Sequence, residues 1–97
     1  MSGYILANLD VSDEATFALY REKVVPLIAQ FGGETVINTE DVAIREGRAP
    51  PRRRVICVRF PSSETAHAFL DCDAYKPLLA LRLAAAGGDV IIVDGLD

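Results

Sequence analysis

The sequence predicts a single α+β domain, residues 1–97, in which an antiparallel four-stranded sheet carries two helices on one face. Three observations lead there. Segments with strand and helix character alternate in the order strand, helix, strand, strand, helix, strand. One helix declares itself by a continuous apolar stripe, Phe17, Tyr20, Val24, Leu27, Ile28 and Phe31, at the spacing that keeps side chains on one helical face. Three strand segments, "YILANL", "VICV" and "VIIV", are apolar at nearly every position. Together these describe the split βαβ, ferredoxin-like pattern.

"GYILANLDV" reads as the first strand, stopped by "DVSDE". That stop also starts a helix, because Ser12 or Asp13 can accept hydrogen bonds from its first free amides. Asp13 and Glu14 suit the positive end of its dipole. Pro26 is expected to kink or weaken this helix, and Gly32-Gly33 to end it. "ETVIN" follows as a strand, "TED" as a turn, and "VAIRE" as a short returning strand. "GRAPP" must be irregular, since two prolines cannot sit inside a central ladder. "RRVICVRF" is the strongest strand. Ser62 or Ser63 caps a second helix with Ala66, Phe69 and Leu70 facing inward. "DCDAY" breaks it, Asp73 can recap it, and the helix resumes as far as Gly87-Gly88, before "DVIIVDG" closes the sheet.

Two helices cover one face of a four-stranded sheet, and a sheet with one wet face should alternate apolar and polar residues. These strands do not. At about 25 cal/mol per Å², exposing such a face forfeits several kcal/mol, a large share of the roughly 5–15 kcal/mol that a domain is worth. A second copy packed sheet to sheet, with two-fold symmetry, resolves this. The expected assembly is a homodimer.

Fourteen acids against ten bases give a net charge of −4, which opposes a general nucleic-acid binder. Six of the ten basic residues nevertheless fall between Arg45 and Phe60. Arg52, Arg53 and Arg54 are consecutive in a strand, so they alternate between faces and form no flat patch. Glu40, Asp41 and Glu46 are near enough in the chain to pair with some of them. No aromatic side chains interleave the arginines, as a single-strand platform requires. A solvated, paired hairpin is the first reading; an arginine at the mouth of an anion pocket is the second. No window approaches a membrane span and nothing resembles a signal peptide, so the expected compartment is cytoplasmic.

Cys57 reads as a small core hydrophobe and Cys72 lies in a polar turn; both are expected as reduced thiols, and with one histidine they make no zinc site. His67, without a fixed acid or nucleophile beside it, is a helix-surface residue. Asp71, Asp73, Glu40 and Asp41 sit at turns and caps. The glycine pairs follow helices, whereas phosphate loops precede them. No metal or cofactor is expected. The candidates for a ligand site are Asn8, Tyr20, Arg53, Tyr75 and Arg82. Asn8 interrupts an apolar strand and needs a partner or a ligand. Tyr20 lies on the apolar stripe, either as a core aromatic or as a donor inside a cleft. Arg82 falls seven residues after Tyr75, on the same helical face.

The chain also resembles the small bacterial domain-of-unknown-function family numbered 1330, of the dimeric α+β barrel superfamily. The resemblance covers nearly the whole chain. It rests on the Tyr-Arg pair at 20–21, Pro26, Gly32-Gly33, Pro-Pro-Arg-Arg at 50–53, Phe-Pro-Ser at 60–62, and Tyr75 with Arg82, in that order. It implies a ferredoxin-like protomer in a sheet-to-sheet dimer, and no particular reaction. Wider relatives include monooxygenases without metal or flavin, muconolactone-type isomerases, haem-degrading enzymes and plain dimeric binding modules. Many family members carry an acid just before the Phe-Pro; Arg59 stands there instead, which puts a shared acid–base role at that position in question. Two functions follow as expectations. One is a cofactor-independent oxygenase- or isomerase-like enzyme acting on a small anionic or enolisable molecule. The other is a catalytically inert dimeric interaction module. An open cleft between helices and sheet supports the first, and a filled core there the second.

Overall fold

A computed structural model describes residues 1–48 and 53–97. The elements are β1 (Gly3–Val11), α1 (Glu14–Gln30), β2 (Glu34–Thr39), β3 (Arg53–Phe60), α2 (Ser63–Asp71), a 3₁₀ turn (Asp73–Tyr75), α3 (Lys76–Ala85) and β4 (Ala86–Asp94). The strands form one antiparallel sheet in the order β2-β3-β1-β4. This is the expected ferredoxin-like fold.

Burial alternates strictly along β1. Gly3, Ile5, Ala7, Leu9 and Val11 are buried beneath the helices, and Tyr4, Leu6, Asn8 and Asp10 point to the other face. The register carries this parity outward. Ile5 lies opposite Val58 on β3 and Ile92 on β4, both on the helix side. Leu6 lies opposite Cys57 and Ile91, both on the outer face.

Asp13 caps α1, its carboxylate accepting from the Thr16 amide at 3.1 Å and from the Thr16 hydroxyl at 2.7 Å. Those bonds hold the Asp13 carboxyl below its usual pKa. Ser62 caps α2 in the same way. α1 runs through Pro26 without a break, since that proline lies on the exposed side, where an unpaired carbonyl is left to water. It ends before Gly32-Gly33, whose amides donate to Ala29 and Ile28.

Three expectations need correction. α3 does not run to Gly87-Gly88; it stops at Ala85, whose carbonyl accepts the amides of Ser12 and Asp13 at 2.9 and 3.1 Å. The chain then enters β4 at Ala86, opposite Val11. The glycines lie inside that strand, and a Cβ at Gly88 would collide with the Asn8 carbonyl oxygen. "VAIRE" forms no strand, because after Thr39 the chain turns away, with the Asp41 amide on the Thr39 hydroxyl. Asp73 caps nothing and pairs instead with Lys76, an exposed contact worth little. The Pro50-Pro51 and Arg52 positions lie outside the described residues.

The helices do not cover the sheet evenly. α2 approaches β1 closely, because Gly3 has no side chain where the backbone of Ser62 and Ser63 passes. α1 lies against α3 instead. The core therefore forms two clusters, one around Ile5, Phe60 and Phe69, the other around Leu9, Val11 and Phe17, bridged by the partly buried Tyr20 and Ile56. Ala7 faces the helices between Ile5 and Leu9 and fills little of the space there. The gap beneath α1 is open.

Candidate functional site

That gap is a cavity of about 380 Å³, with walls from all four strands, α1, α2, α3 and the 3₁₀ turn. Its lining is largely apolar, Ile5, Val24, Ile28, Val58 and Phe69 among it. A volume of this size lies within the range of small-molecule sites.

Three of the five candidate residues meet there: Tyr20 from α1, Tyr75 from the 3₁₀ turn and Arg82 from α3. The two phenol oxygens are 3.1 Å apart. Phe17 packs on Tyr20 and Phe69 on Tyr75, which holds both rings in place. Two hydroxyls carry two hydrogens and one is used between them, so one donor is left over. Burial pushes the Tyr20 phenol well above its ordinary pKa, the neighbouring Tyr75 adds to this, and Arg82 pulls partly the other way. Tyr20 therefore keeps its proton at physiological pH, a donor and not a base.

This has a consequence for stability that titration can check. The folded-state pKa of Tyr20 lies above the unfolded value of 10.0. Below pH 10 both states keep the proton and stability is independent of it. Above that pH the unfolded chain loses its proton first, so stability falls by up to about 1.4 kcal/mol per pH unit. We expect Tyr20→Phe to remove that slope from urea denaturation measured between pH 9.5 and 11. An unchanged slope would contradict the burial of the phenol.

Arg82 supplies the half-buried cation of the cavity wall, and like Arg53 and Arg54 it has a buried nitrogen without an acceptor. Its Nη1 makes one long contact to the Ala86 carbonyl at 3.4 Å, and its Nε is buried with no acceptor. No carboxylate pairs with it among the described residues. Leaving that one nitrogen desolvated and unpaired is costly.

Asn8 and Arg53 do not belong to this site. They lie on the outer face of the sheet, where Arg53 Nε donates to Asn8 Oδ1 at 3.1 Å. Leu9 and Ile5 take the inward positions of β1, which turns Asn8 outward, and its amide finds its partner within the chain. The arginine run divides as strand alternation requires. Arg53 takes the outer face, and Arg54 the helix face, with Glu40 at 3.0 Å. Arg59 pairs with Glu34 at 2.7 Å. His67 is exposed on α2. Cys57 is buried, though on the outer face beside Leu6, and burial pushes its thiol pKa up.

Arg21, Thr35 and Asn38 were not among the candidates, yet they line the cavity at its exposed side. Arg21 falls off the apolar stripe, and only the stand-off of α1 brings it to a rim. Asn38 depends on an irregularity between Thr35 and Ile37 that resets the facing of β2. Nothing in "ETVIN" announces it.

The chain belongs to the family described as Domain of unknown function (DUF1330), whose model matches residues 2–96. Comparison with curated proteins finds no match. Solved structures share the fold at low identity. A protein of unknown function from Rhodopseudomonas palustris superposes with a TM-score of 0.75 at 16% identity, over 99% of this chain and 84% of that one. SnoaB, a cofactor-independent oxygenase from Streptomyces nogalater, gives 0.69 at 11% identity, over 99% and 94%. A proposed antibiotic biosynthesis monooxygenase from Caulobacter crescentus gives 0.59 at 15% identity, over 99% and 91%. The chain shares with these structures a ferredoxin-like α+β fold. No helix of the described residues is long and apolar enough to cross a membrane.

Proposed function

We propose that the cavity beneath α1 binds a small, mostly apolar molecule carrying an acidic oxygen, a carboxylate or an enolate, and that the protein works as a homodimer. The observation that carries this reading is Arg82, a half-buried cation whose Nε is buried without an acceptor, at the wall of an otherwise apolar space and in company with the paired phenols. An anionic oxygen supplies the missing acceptor, and the spare phenol hydrogen adds a second bond to it.

The lining also favours one chemistry over another. Among the described residues its ionisable groups are Tyr20, Tyr75, Arg21 and Arg82, with no Asp, Glu, His or Cys. An isomerase that moves a proton needs a base within reach of the substrate, and these walls offer none. A substrate that enters already ionised needs no base. Its enolate carbon brings its own electron pair, and addition to dioxygen would shift the charge to a peroxide oxygen. The cation and phenol would stabilise that charge. The fold shared with a cofactor-independent oxygenase agrees with this reading as analogy. The inert-module alternative is disfavoured by the open cavity.

Thermal melts against a panel of small carboxylates and enols test the proposal. A ligand at 100 times its Kd should raise wild-type stability by about 2.7 kcal/mol. Tyr20→Phe and Tyr75→Phe should each fold within about 0.5–1.5 kcal/mol of wild type and lose most of the ligand-induced shift. Equal ligand response in wild type and both variants would remove the tyrosines from the site.

A further inference from the structure

We infer that the cavity is built for a ligand with two unlike ends, an acidic oxygen at the tyrosine–arginine wall and a neutral acceptor, a ketone or ether oxygen, at Asn38. Arg54 is the residue that positions Asn38. The inference rests on the reading of the cavity given above and adds the chemistry of its second wall.

Arg54 Nη1 lies 2.6 Å from the side-chain amide of Asn38. A guanidinium has only donors, so the amide atom facing it is the oxygen, as the structure has it. The amide NH2 is thereby turned away from Arg54 and finds no acceptor among the described residues; Asn38 is exposed and lines the cavity at its open side, where a ligand would replace water on that NH2. Arg54 is held firmly enough to impose this. Its Nη2 pairs with Glu40 at 3.0 Å, its guanidinium lies 5.8 Å from the Phe17 ring centroid, and its side chain is only 16% exposed. The ion pair also matters for selectivity. Glu40 neutralises Arg54, so the Asn38 wall presents a donor with little net charge, which suits a carbonyl better than a second carboxylate. Arg21, the other cation of the lining, is exposed like Asn38, and solvent screening weakens its hold on an anion. The space between the walls is apolar, and its 380 Å³ suits a small organic molecule. The class is thus a compact keto acid or keto enolate with an apolar middle.

The test measures affinities of the intact protein, by calorimetry, for octanoate, 7-oxooctanoate and octanedioate, flexible chains that need no assumed span. We expect 7-oxooctanoate to bind about three- to tenfold more tightly than octanoate. Asn38→Leu should abolish that ratio while leaving octanoate binding in place. Arg54→Met should shrink the ratio, because the released amide can turn. Tyr75→Phe should weaken both monoacids alike and keep the ratio. If wild type binds octanoate and 7-oxooctanoate equally, or if Asn38→Leu keeps the preference, this inference falls and the reading of the cavity stands. If octanedioate binds tightest, the second wall selects a charge and the neutral-acceptor inference is overturned. If none of the three binds, the reading of the cavity itself fails, and this inference with it.

Discussion

Ile91→Asp is expected to convert the proposed dimer into a monomer or an aggregate. Ile91 is 51% exposed in the middle of edge strand β4, on the outer face beside Leu6. Tyr4, Val55 and Val93 share that face, and Ile37 extends it on β2 to the opposite edge. This is an apolar surface of the kind that marks an interface. Covering it with a second copy recovers several kcal/mol at about 25 cal/mol per Å². In a two-fold interface one substitution enters twice, so each Asp would be desolvated with a like charge nearby, an arrangement that costs several kcal/mol. Sedimentation at micromolar concentration should show wild type at twice the chain mass and Ile91→Asp at the chain mass or as aggregate. A well-folded wild-type monomer would defeat the argument from the exposed face. The variant lies on the opposite face of the sheet from the cavity, so a surviving monomer should keep its ligand response unless the partner supports the site.

The sequence disclosed those features that are set by local periodicity. The stripe from Phe17 to Phe31 identified α1 and placed Tyr20 beneath it, and the seven-residue step from Tyr75 to Arg82 placed those two on one side of a helix. Both inferences use only the helical repeat. That Asn8 and Arg53 lie apart from the tyrosines, on the outer face, was not legible, because "YILANL" is apolar at both parities, which hides the direction of the pleat. A cue was present in Asn8 and Asp10, which share a parity that Ile5, Ala7 and Leu9 do not. Glycine misled at 87–88 for a different reason. The stop of α3 is imposed from far away, by the Ser12 and Asp13 amides on the Ala85 carbonyl, and the strand ladder then overrides the local preference. Asn38 was out of reach altogether. Its facing follows from the irregularity in β2 and its orientation from Arg54, and neither contact is local.

The second large effect concerns Arg82, and its two parts run in opposite directions. Arg82→Met should lower affinity for any anionic ligand of the cavity by about 30- to 300-fold, since a charge-assisted, partly desolvated contact is worth about 2–3 kcal/mol or more. The same change should leave the folded protein as stable as wild type or more stable by about 1 kcal/mol. Methionine keeps most of the apolar stem and removes a guanidinium whose Nε is buried without an acceptor, a group whose desolvation the ligand-free chain does not compensate. A structural arginine behaves otherwise: its loss costs stability and touches no ligand. The phenol gives an independent check, because Arg82 is the influence that pulls the Tyr20 pKa downward. Without the cation Tyr20 should hold its proton to still higher pH, and its contribution to the alkaline loss of stability should extend further. Destabilisation of the variant by 2 kcal/mol or more, with ligand affinity unchanged, would make Arg82 part of the scaffold and leave the cavity without the cation on which the binding proposal rests.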